Sequence, residues 1–402
     1  MTGPRVLVVG SGWRFTSGIS YYTCRLANAL AERVPTDVLL ARRLVPRALY
    51  PGKRRVGQVV NDLAYDRRIA VSDTLDWYWG PGMVASLRFL AQRRPDVLVL
   101  QWWTGALLHT YLLLAIVARR RGATVVLEWH EVQDTGEARL PLVERYVRAA
   151  IGLLLARVDG HVVHSEHDLG LLRASYDLDP ERSPVAVVPH GPYDHVVDEA
   201  AQLADAPAAD GPTTFLFFGI IRPYKGLEDL VEAFGRVAAG RDWRLRIVGE
   251  TWEGWTAPLE AVAASPVRDQ IEVVNRYVTD EEARAHFAAA HAVVLPYHRS
   301  SSSGPLHMAM SAGLPVAVTA VGGLVDAAGD YAGALLVPAR DPQALAEALV
   351  ELADRRGQRY DDPHSWDRTT DAYLDLVATL TGTPSPSTAP SENTAVPVRS
   401  AS

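Results

Sequence analysis

The sequence predicts an α/β protein with two doubly wound, Rossmann-like domains that face each other across a central cleft. Short apolar runs rich in Val, Leu and Ile alternate with helical patterns, which is typical of parallel strands buried on both faces of a sheet. The runs form two series, separated by a polar, alanine-rich stretch at residues 196–212. A chain of 402 residues is long enough for two domains, each with its own core.

The first series defines an amino-terminal domain over residues 1–195. Its predicted strands are 5–9, 37–41, 96–100, 124–128, 160–164 and 185–189. The second series defines a domain over residues 213–362, with residues 196–212 as the linker. Its predicted strands are 214–219, 244–249, 271–275, 292–296, 315–319 and 334–338. Residues 363–380 form an amphipathic pattern that predicts a terminal helix packing back on the amino-terminal domain. The Pro/Ser/Thr-rich residues 381–402 predict a disordered tail.

Composition limits the cellular and chemical setting. The single cysteine, Cys24, excludes an intrachain disulfide framework and a cysteine-based zinc site, which suits a reducing cytoplasm. The opening residues show no apolar leader pattern, so a cytoplasmic location is expected. The apolar run 106–118 is shorter than the roughly 20 residues that span a bilayer, and it predicts a buried helix instead.

Charge is distributed unevenly around the net value of −7. Residues up to His195 include 24 basic and 19 acidic side chains, and the remainder includes 16 and 28. A basic cluster predicts either peripheral contact with an anionic membrane, at the inner face of the plasma membrane, or a solvated face. The cluster consists of Arg42, Arg43, Arg47, Lys53, Arg54 and Arg55. Nucleic acid is not an expected partner, because basic stretches interleaved with aromatic residues are absent.

Polar residues follow several strands of the first domain. Gly10 and Gly12 begin a dinucleotide-binding fingerprint, but Phe15 occupies the third glycine position, so the turn either lies beneath an oxygen-rich ligand or is purely structural. In "LEWHEVQD", His130 follows a strand at the sheet edge where α/β proteins bind ligands; it either bonds a substrate or is structural. No second histidine lies at a helical spacing from it, so no metal site is expected.

Two later strands of this domain end in similar polar pairs. These are His164 with Ser165 and His190 with Gly191, which either line a cleft wall or cap the next segment.

Two loops of the second domain suit a phosphorylated ligand. In "FFGIIRPYKGLEDL", Arg222 and Lys225 lie between a strand and a helix, where two cations beside a helix N-terminus can hold a pyrophosphate; a solvated basic turn is the alternative. In "YHRSSSSGPLHMAMSAGLP", a serine loop leads into a helix of small residues, and its amides and hydroxyls could hold a phosphate or sugar.

In this order the motifs resemble the family-4 retaining glycosyltransferases of GT-B fold. The resemblance covers residues 4–380 and includes "SGIS", "EWHE", "VVPHG", "GIIRPYKGLEDLVEAF", "AMSAGLPVAVTAVGGLVD" and "LLVPARDPQALAEAL". It implies that a UDP- or GDP-sugar binds to the second domain, and that a glycan or lipid-linked acceptor binds to the first. It further implies transfer with retention of configuration, without a cofactor or a metal.

The resemblance also implies roles for individual residues. His130, Arg222 and Lys225 would be catalytic, with His130 beside the donor sugar and Lys225 on the pyrophosphate. Gly18 would lie near the donor phosphates. The remaining donor-binding residues would be Asn275, Tyr277, Val278, Ser300, Ser302, Ser303, Gly304 and Met308. The acceptor-side residues would be Ser17, His164, Ser165 and His190.

The serine loop departs from the family pattern. Two glutamates with seven residues between them are usual there, and Ser300 and Met308 stand in their places. A methionine cannot replace a carboxylate on a ribose diol, so the donor ribose is expected to be held differently. Three alternatives remain open: a nucleotide-sugar epimerase, an NADP-dependent oxidoreductase and a non-catalytic nucleotide-sugar binding protein.

Overall fold

The computed structural model describes residues 3–12, 18–43, 63–132, 141–194, 211–251 and 254–383. Ser17 and most of the basic cluster (Arg47, Lys53, Arg54 and Arg55) lie outside these ranges, as does the side chain of Arg43. Most of the predicted linker and nearly all of the predicted tail lie outside them as well.

The amino-terminal domain contains a seven-stranded parallel sheet with the order β3-β2-β1-β4-β5-β6-β7. The strands are β1 (Val6–Ser11), β2 (Thr36–Arg43), β3 (Ala70–Asp76), β4 (Val97–Trp102), β5 (Thr124–Trp129), β6 (Gly160–Val163) and β7 (Val185–Val187). The helices are α1 (Gly18–Arg33), α2 (Pro81–Arg93), α3 (Leu108–Arg119), α4 (Pro141–Leu155) and α5 (Glu166–Ser175). One apolar cluster lies on each face of the sheet, which is why its central strands are continuously apolar.

The edge strand β3 is missing from the sequence prediction. Its residues, "AVSDTLD", are largely polar, and only the last two are buried. An edge strand needs no apolar residues on both faces, so apolar runs do not reveal it.

The carboxyl-terminal domain contains a six-stranded parallel sheet with the order β10-β9-β8-β11-β12-β13. The strands are β8 (Thr213–Phe218), β9 (Trp243–Val248), β10 (Ile271–Val274), β11 (Ala292–Leu295), β12 (Val316–Thr319) and β13 (Ala334–Val337). The helices are α6 (Leu227–Val237), α7 (Ala257–Ala264), α8 (Asp280–Ala288), α9 (Gly304–Ser311), α10 (Leu324–Gly329) and α11 (Pro342–Asp354). The predicted fold class, two Rossmann-like domains, is therefore confirmed.

The last described helix, α12 (Trp366–Thr381), follows the second domain but packs on the first. Its residues Tyr373, Leu374 and Val377 belong to an apolar cluster with strands of the first sheet. Arg33 of α1 pairs with Asp367 and Asp371 of the helix. The chain thus crosses back to the first domain after completing the second.

The apolar run 106–118 lies mostly in α3, with Leu108, Leu114 and Ala118 buried. No helix in the described part of the chain combines the length and the apolar character needed to cross a membrane. Arg42, the one basic-cluster residue whose side chain is described, donates two hydrogen bonds to buried Asp76, at 3.3 and 2.7 Å. The charge of Arg42 is therefore paired with a buried carboxylate of the same domain.

The strand orders locate the binding crevices. In each sheet the order reverses beside the first strand, between β1 and β4 and between β8 and β11. Doubly wound sheets bind ligands at this switch point, beyond the carboxyl ends of the strands. In the second domain, the segments beyond those two ends carry Arg222 and Lys225 on one side and the serine loop on the other.

Candidate active site

The loop between β8 and α6 is held against the end of β11 by its backbone. Gly226 adopts a left-handed conformation, with φ of +61°, and a side chain there would lie 1.9 Å from the Pro296 carbonyl oxygen. The backbone N–H of His298 donates to the Tyr224 carbonyl at 2.8 Å. Only glycine permits this approach, so Lys225 is fixed beside the switch point.

Lys225 is a partly buried cation that stands over an aromatic face. Its Nζ lies 3.5 Å from the ring centroid of Tyr297, a cation–π contact. Among the described residues, no carboxylate pairs with it. Burial, and next the charge of Arg222, lower its pKa to about 7. The protonated form of Lys225 is therefore destabilised in the free site, and a bound anion would stabilise it.

Tyr297 connects this cation to the serine loop. Its ring is fully buried, and its hydroxyl accepts a hydrogen bond from Ser303 Oγ at 3.4 Å. Ser303 also caps α9 by accepting the Leu306 N–H at 3.3 Å. Ser300 Oγ donates to the Ser302 carbonyl at 2.7 Å. The hydroxyls of Ser300 and Ser303 thus shape the loop itself, and the side chain of Ser302 is left exposed.

A glycine pair supports the serine loop from below. Side chains at Gly322 and Gly323 would each lie 2.0 Å from a carbonyl oxygen, that of Ser300 and that of Ser301. The Gly323 N–H donates to the Ser300 carbonyl at 3.1 Å. The loop can lie against the start of α10 only because these two positions lack a Cβ.

The positions that replace the usual glutamates differ in environment. Met308 is 7% exposed and packs in the carboxyl-terminal core, so it offers no polar group to a ribose. Val278, another predicted donor-binding residue, is buried in the same core. Asn275 follows β10, and its Oδ1 accepts the N–H and the hydroxyl of Thr251, both at 2.9 Å. Tyr277 follows in the same loop, where its carbonyl accepts a hydrogen bond from the neighbouring Arg276.

A histidine cluster faces these loops from the first domain. We define it as His130, His164, His190 and His307, of which only His307 belongs to the second domain. The ring centroids are 4.9 Å apart for His130 and His164, and 5.3 Å for His164 and His190. His190 stacks on His307 at 4.7 Å. Burial, then neighbouring imidazoles, lower the pKa of His190 well below its ordinary value and that of His164 to about 4.

A buried carboxylate lies beneath the cluster. Glu128, on β5, accepts hydrogen bonds from the Tyr22 hydroxyl at 2.8 Å and the Gln101 amide at 2.9 Å. Burial raises its pKa, but the nearby imidazoles of His130 and His164 and the hydrogen bonds outweigh that effect and hold the value at about 2. The first domain thus presents a buried negative charge surrounded by histidines.

Tyr193 joins both domains at the start of two helices. Its hydroxyl donates to the Gly18 carbonyl at 2.9 Å, and its ring stacks on His190 at 5.4 Å. A side chain at Gly304 would come within 3.5 Å of the same ring. Gly18 and Gly304, both predicted donor-binding residues, therefore lie beside the same tyrosine.

Comparison with known proteins assigns the chain to a family. Residues 17–191 match the glycosyl transferase 4-like domain, and residues 212–355 match the domain called glycosyl transferases group 1. The chain belongs to the group 1 glycosyltransferases. A D-inositol 3-phosphate glycosyltransferase of Geodermatophilus obscurus is 31% identical over 323 residues, which cover 76% of this chain and 65% of that relative.

Solved structures of similar fold support the architecture. Sucrose-phosphate synthase from Thermosynechococcus elongatus superimposes with a TM-score of 0.61 at 18% identity, covering 94% of this chain and 98% of its own. Anabaena HepE in complex with UDP-glucose gives a TM-score of 0.60 at 14% identity, covering 94% and 100%. The two facing sheets are those of the GT-B fold.

Three of the predicted acceptor-side residues have hydrogen-bond partners within the first domain. Ser165 caps α5 by accepting the Asp168 N–H at 3.0 Å and donates to the Asp168 carboxylate at 2.7 Å. His164 Nδ1 lies 3.1 Å from the Val188 carbonyl, and His190 Nδ1 lies 2.9 Å from that of Gly191. The fourth, Ser17, lies outside the described residues.

Several residues of the site were missed in the sequence. Tyr22 and Gln101 belong to two elements other than the motif "LEWHEVQD" that contains Glu128, so no local spacing brings them to that carboxylate. Tyr297 and His307 flank the serine loop in sequence, and an aromatic or imidazole side chain beside a phosphate-type loop is a signal that could have identified them. Tyr193 lies in the segment that follows the polar pair at His190.

Proposed function

We propose that this protein transfers a hexose-type sugar from a nucleoside-diphosphate sugar, either UDP- or GDP-linked, to an acceptor hydroxyl with retention of anomeric configuration. Family membership favours this reaction over the epimerase and oxidoreductase alternatives. The donor would occupy the switch point of the second domain, with its diphosphate near Lys225 and Arg222. The acceptor would lie against the first domain.

One observation carries the proposal: the only lysine in the described chain stands at the switch point without a carboxylate partner. A buried, uncompensated ammonium costs stability, and proteins retain such groups mainly where a ligand uses them. A diphosphate would supply the missing negative charge, and Arg222 lies three residues away in the same loop.

The proposed chemistry concentrates charge on the leaving group. As the bond between the anomeric carbon and the phosphate oxygen breaks, the electron pair goes to the diphosphate, where two fixed cations lower the barrier. The acceptor hydroxyl then bonds to the anomeric carbon on the face that the diphosphate leaves, and its proton passes to an oxygen of the departing diphosphate. Because cations already serve the phosphates, the transfer needs no metal there. His130 would orient the sugar.

We also propose a class of acceptor and a cellular location. A glycan or lipid-linked precursor of a cell-surface polymer would fit the basic first domain, with the enzyme in the cytoplasm and in peripheral contact with the inner membrane face. In this proposal the acceptor-side histidines act from beneath the cleft, since both are buried.

A donor screen tests the proposal. Purified protein is incubated with UDP- and GDP-sugars and a membrane lipid extract, with and without added Mg²⁺ or Mn²⁺, and nucleoside diphosphate and glycosylated product are measured. We expect release from at least one donor, a rate that the added ions do not change, and a product whose anomeric configuration, read by NMR, equals that of the donor. Binding of donors without any release would favour a non-catalytic binding protein, and inversion would refute the retaining mechanism.

A further inference from the structure

Four buried nitrogens of the histidine cluster are left without a hydrogen-bond partner. Two belong to His307, and the other two are Nε2 of His130 and Nε2 of His164. Both face the carboxylate of Glu128, at 3.7 Å from Oε2 and 3.5 Å from Oε1, respectively, which is too far for a good hydrogen bond. The side chains of His130 and His164 are only 5% and 4% exposed. Water therefore has little access to satisfy them.

The tautomer of His164 places a lone pair opposite the carboxylate. Its Nδ1 lies 3.1 Å from the Val188 carbonyl oxygen, which can only accept, so Nδ1 carries the hydrogen. In the neutral ring, Nε2 then presents a lone pair toward Glu128, whose oxygens are acceptors as well. Acceptors that face each other in a buried site repel, unless a cation lies between them.

The geometry points to a zinc ion as that cation. We propose that Glu128, His130 and His164 form a Zn²⁺ site. The three ligand atoms lie within 4.8 Å of one another. Tetrahedral zinc with bonds of about 2.0–2.1 Å separates neighbouring ligands by about 3.3–3.4 Å. The short nitrogen–oxygen separations involve a different carboxylate oxygen for each histidine. Binding of one ion through a single oxygen therefore requires the side chains to move together by up to about 1.4 Å from the 4.8 Å spacing. Two histidines and one glutamate form a known zinc donor set, which leaves a fourth position for water.

The surroundings of the three ligands are those of a built metal site. The Val188 carbonyl fixes the His164 tautomer, and the Tyr22 hydroxyl and the Gln101 amide orient the carboxylate. Such second partners hold metal ligands in place. Gln101 fits because Gly10 has no side chain: a Cβ there would lie 2.0 Å from its Oε1. This gives the first glycine of the incomplete fingerprint a role unrelated to dinucleotides.

The proposed ion is separate from the diphosphate chemistry. It would join the ends of β5 and β6 beneath the cleft and fix the ring orientation of His130. The sequence did not suggest it, because its ligands come from two adjacent parallel strands rather than from successive turns of one helix.

Metal titration of the tag-free full chain, stripped with a chelator and without any sugar nucleotide, tests the site. We expect one Zn²⁺ per chain by calorimetry, and Co²⁺ should give the intense visible bands of four-coordinate cobalt. His164→Ala and Glu128→Gln should each weaken zinc binding by at least about 100-fold, since even second partners are worth 10–100-fold. His161→Ala is the matched control, because His161 is buried on the same strand but bonds Trp129.

Stoichiometric binding that both cluster variants lose and His161→Ala keeps would support the site. Absence of saturable binding, binding retained in His164→Ala, or equal loss in the His161→Ala control would overturn it. A proton in place of the metal would give pH-dependent imidazole NMR shifts without zinc affinity, which also refutes the proposal. Because no donor is present, these results are independent of glycosyl transfer.

Discussion

The affinity for a nucleoside diphosphate should fall as the pH rises above neutrality. In the free protein, burial and Arg222 lower the pKa of Lys225 to about 7. A bound diphosphate favours the protonated ammonium and raises that pKa, so binding takes up a proton. Affinity is therefore full below the free-state pKa and is lost as the pH rises through it, until the pH reaches the higher pKa of the complex.

The magnitude follows from the free-state pKa. The deprotonated fraction that binding must reprotonate increases from half at pH 7.0 to nearly all at pH 8.5, which weakens binding by up to about 15-fold. The last phosphate ionisation, with a pKa of about 6, is nearly complete over this range and contributes little.

The assay is calorimetry with UDP, GDP or ADP, whichever binds most tightly, from pH 7.0 to 8.5 in a chelator-containing buffer. Buffers with different ionisation enthalpies report the proton uptake directly. Lys225→Arg is the matched variant, because a guanidinium stays charged throughout, and its affinity should remain nearly constant. The same decline in both proteins, or wild-type binding without proton uptake, would refute the reasoning.

Three further predictions concern the groups around the site. Gly226→Ala should lower the free energy of unfolding by more than about 2 kcal/mol and weaken diphosphate binding, because a Cβ there would meet a carbonyl at 1.9 Å. The control is Gly240→Ala, a position that also has a positive φ but lies in open space. It should lower the free energy of unfolding by only about 1 kcal/mol and leave binding intact. Ser165→Ala should cost about 1 kcal/mol in chemical denaturation through the lost helix cap, and a large loss of acceptor turnover at unchanged stability would instead assign it to the acceptor. Arg42→Ala should destabilise the first domain by on the order of 3 kcal/mol, because it leaves buried Asp76 unpaired; reduced binding to anionic liposomes without a lower melting temperature would contradict that assignment.

The fold was largely readable from the sequence because buried parallel strands have to be apolar along their whole length. The twelve strands predicted from apolar runs are all present, although several also carry polar or charged residues, and the polar edge strand β3 was not predicted. The position of Lys225 beyond the first strand of the second domain could be predicted from the strand pattern, and its donor-binding role stays a prediction. In contrast, the hydrogen bonds of the serine loop were only partly predictable. The hydroxyls of Ser300 and Ser303 bond to the backbone of the loop and of the helix that follows it.

Long-range burial accounts for what the sequence could not reveal. The Glu128 carboxylate meets Tyr22, 106 residues away, and Gln101 only after the sheet has formed. His307 was hidden inside a helix of small residues, although it stacks on His190 of the other domain. Such contacts depend on strand order and domain packing, which no local spacing encodes.

The central claim is that Lys225 holds the diphosphate of a sugar nucleotide. The most direct measurement compares Lys225→Ala with the wild type for binding of a nucleoside diphosphate and of its free nucleoside. Loss of a charge-assisted contact is worth about 1.5–3 kcal/mol, so we expect diphosphate affinity to fall by roughly 10- to 150-fold while nucleoside affinity stays unchanged. Arg241→Ala, which removes a cation stacked on Trp243 in the same domain, should alter neither. Equal weakening of nucleoside and diphosphate would contradict the claim.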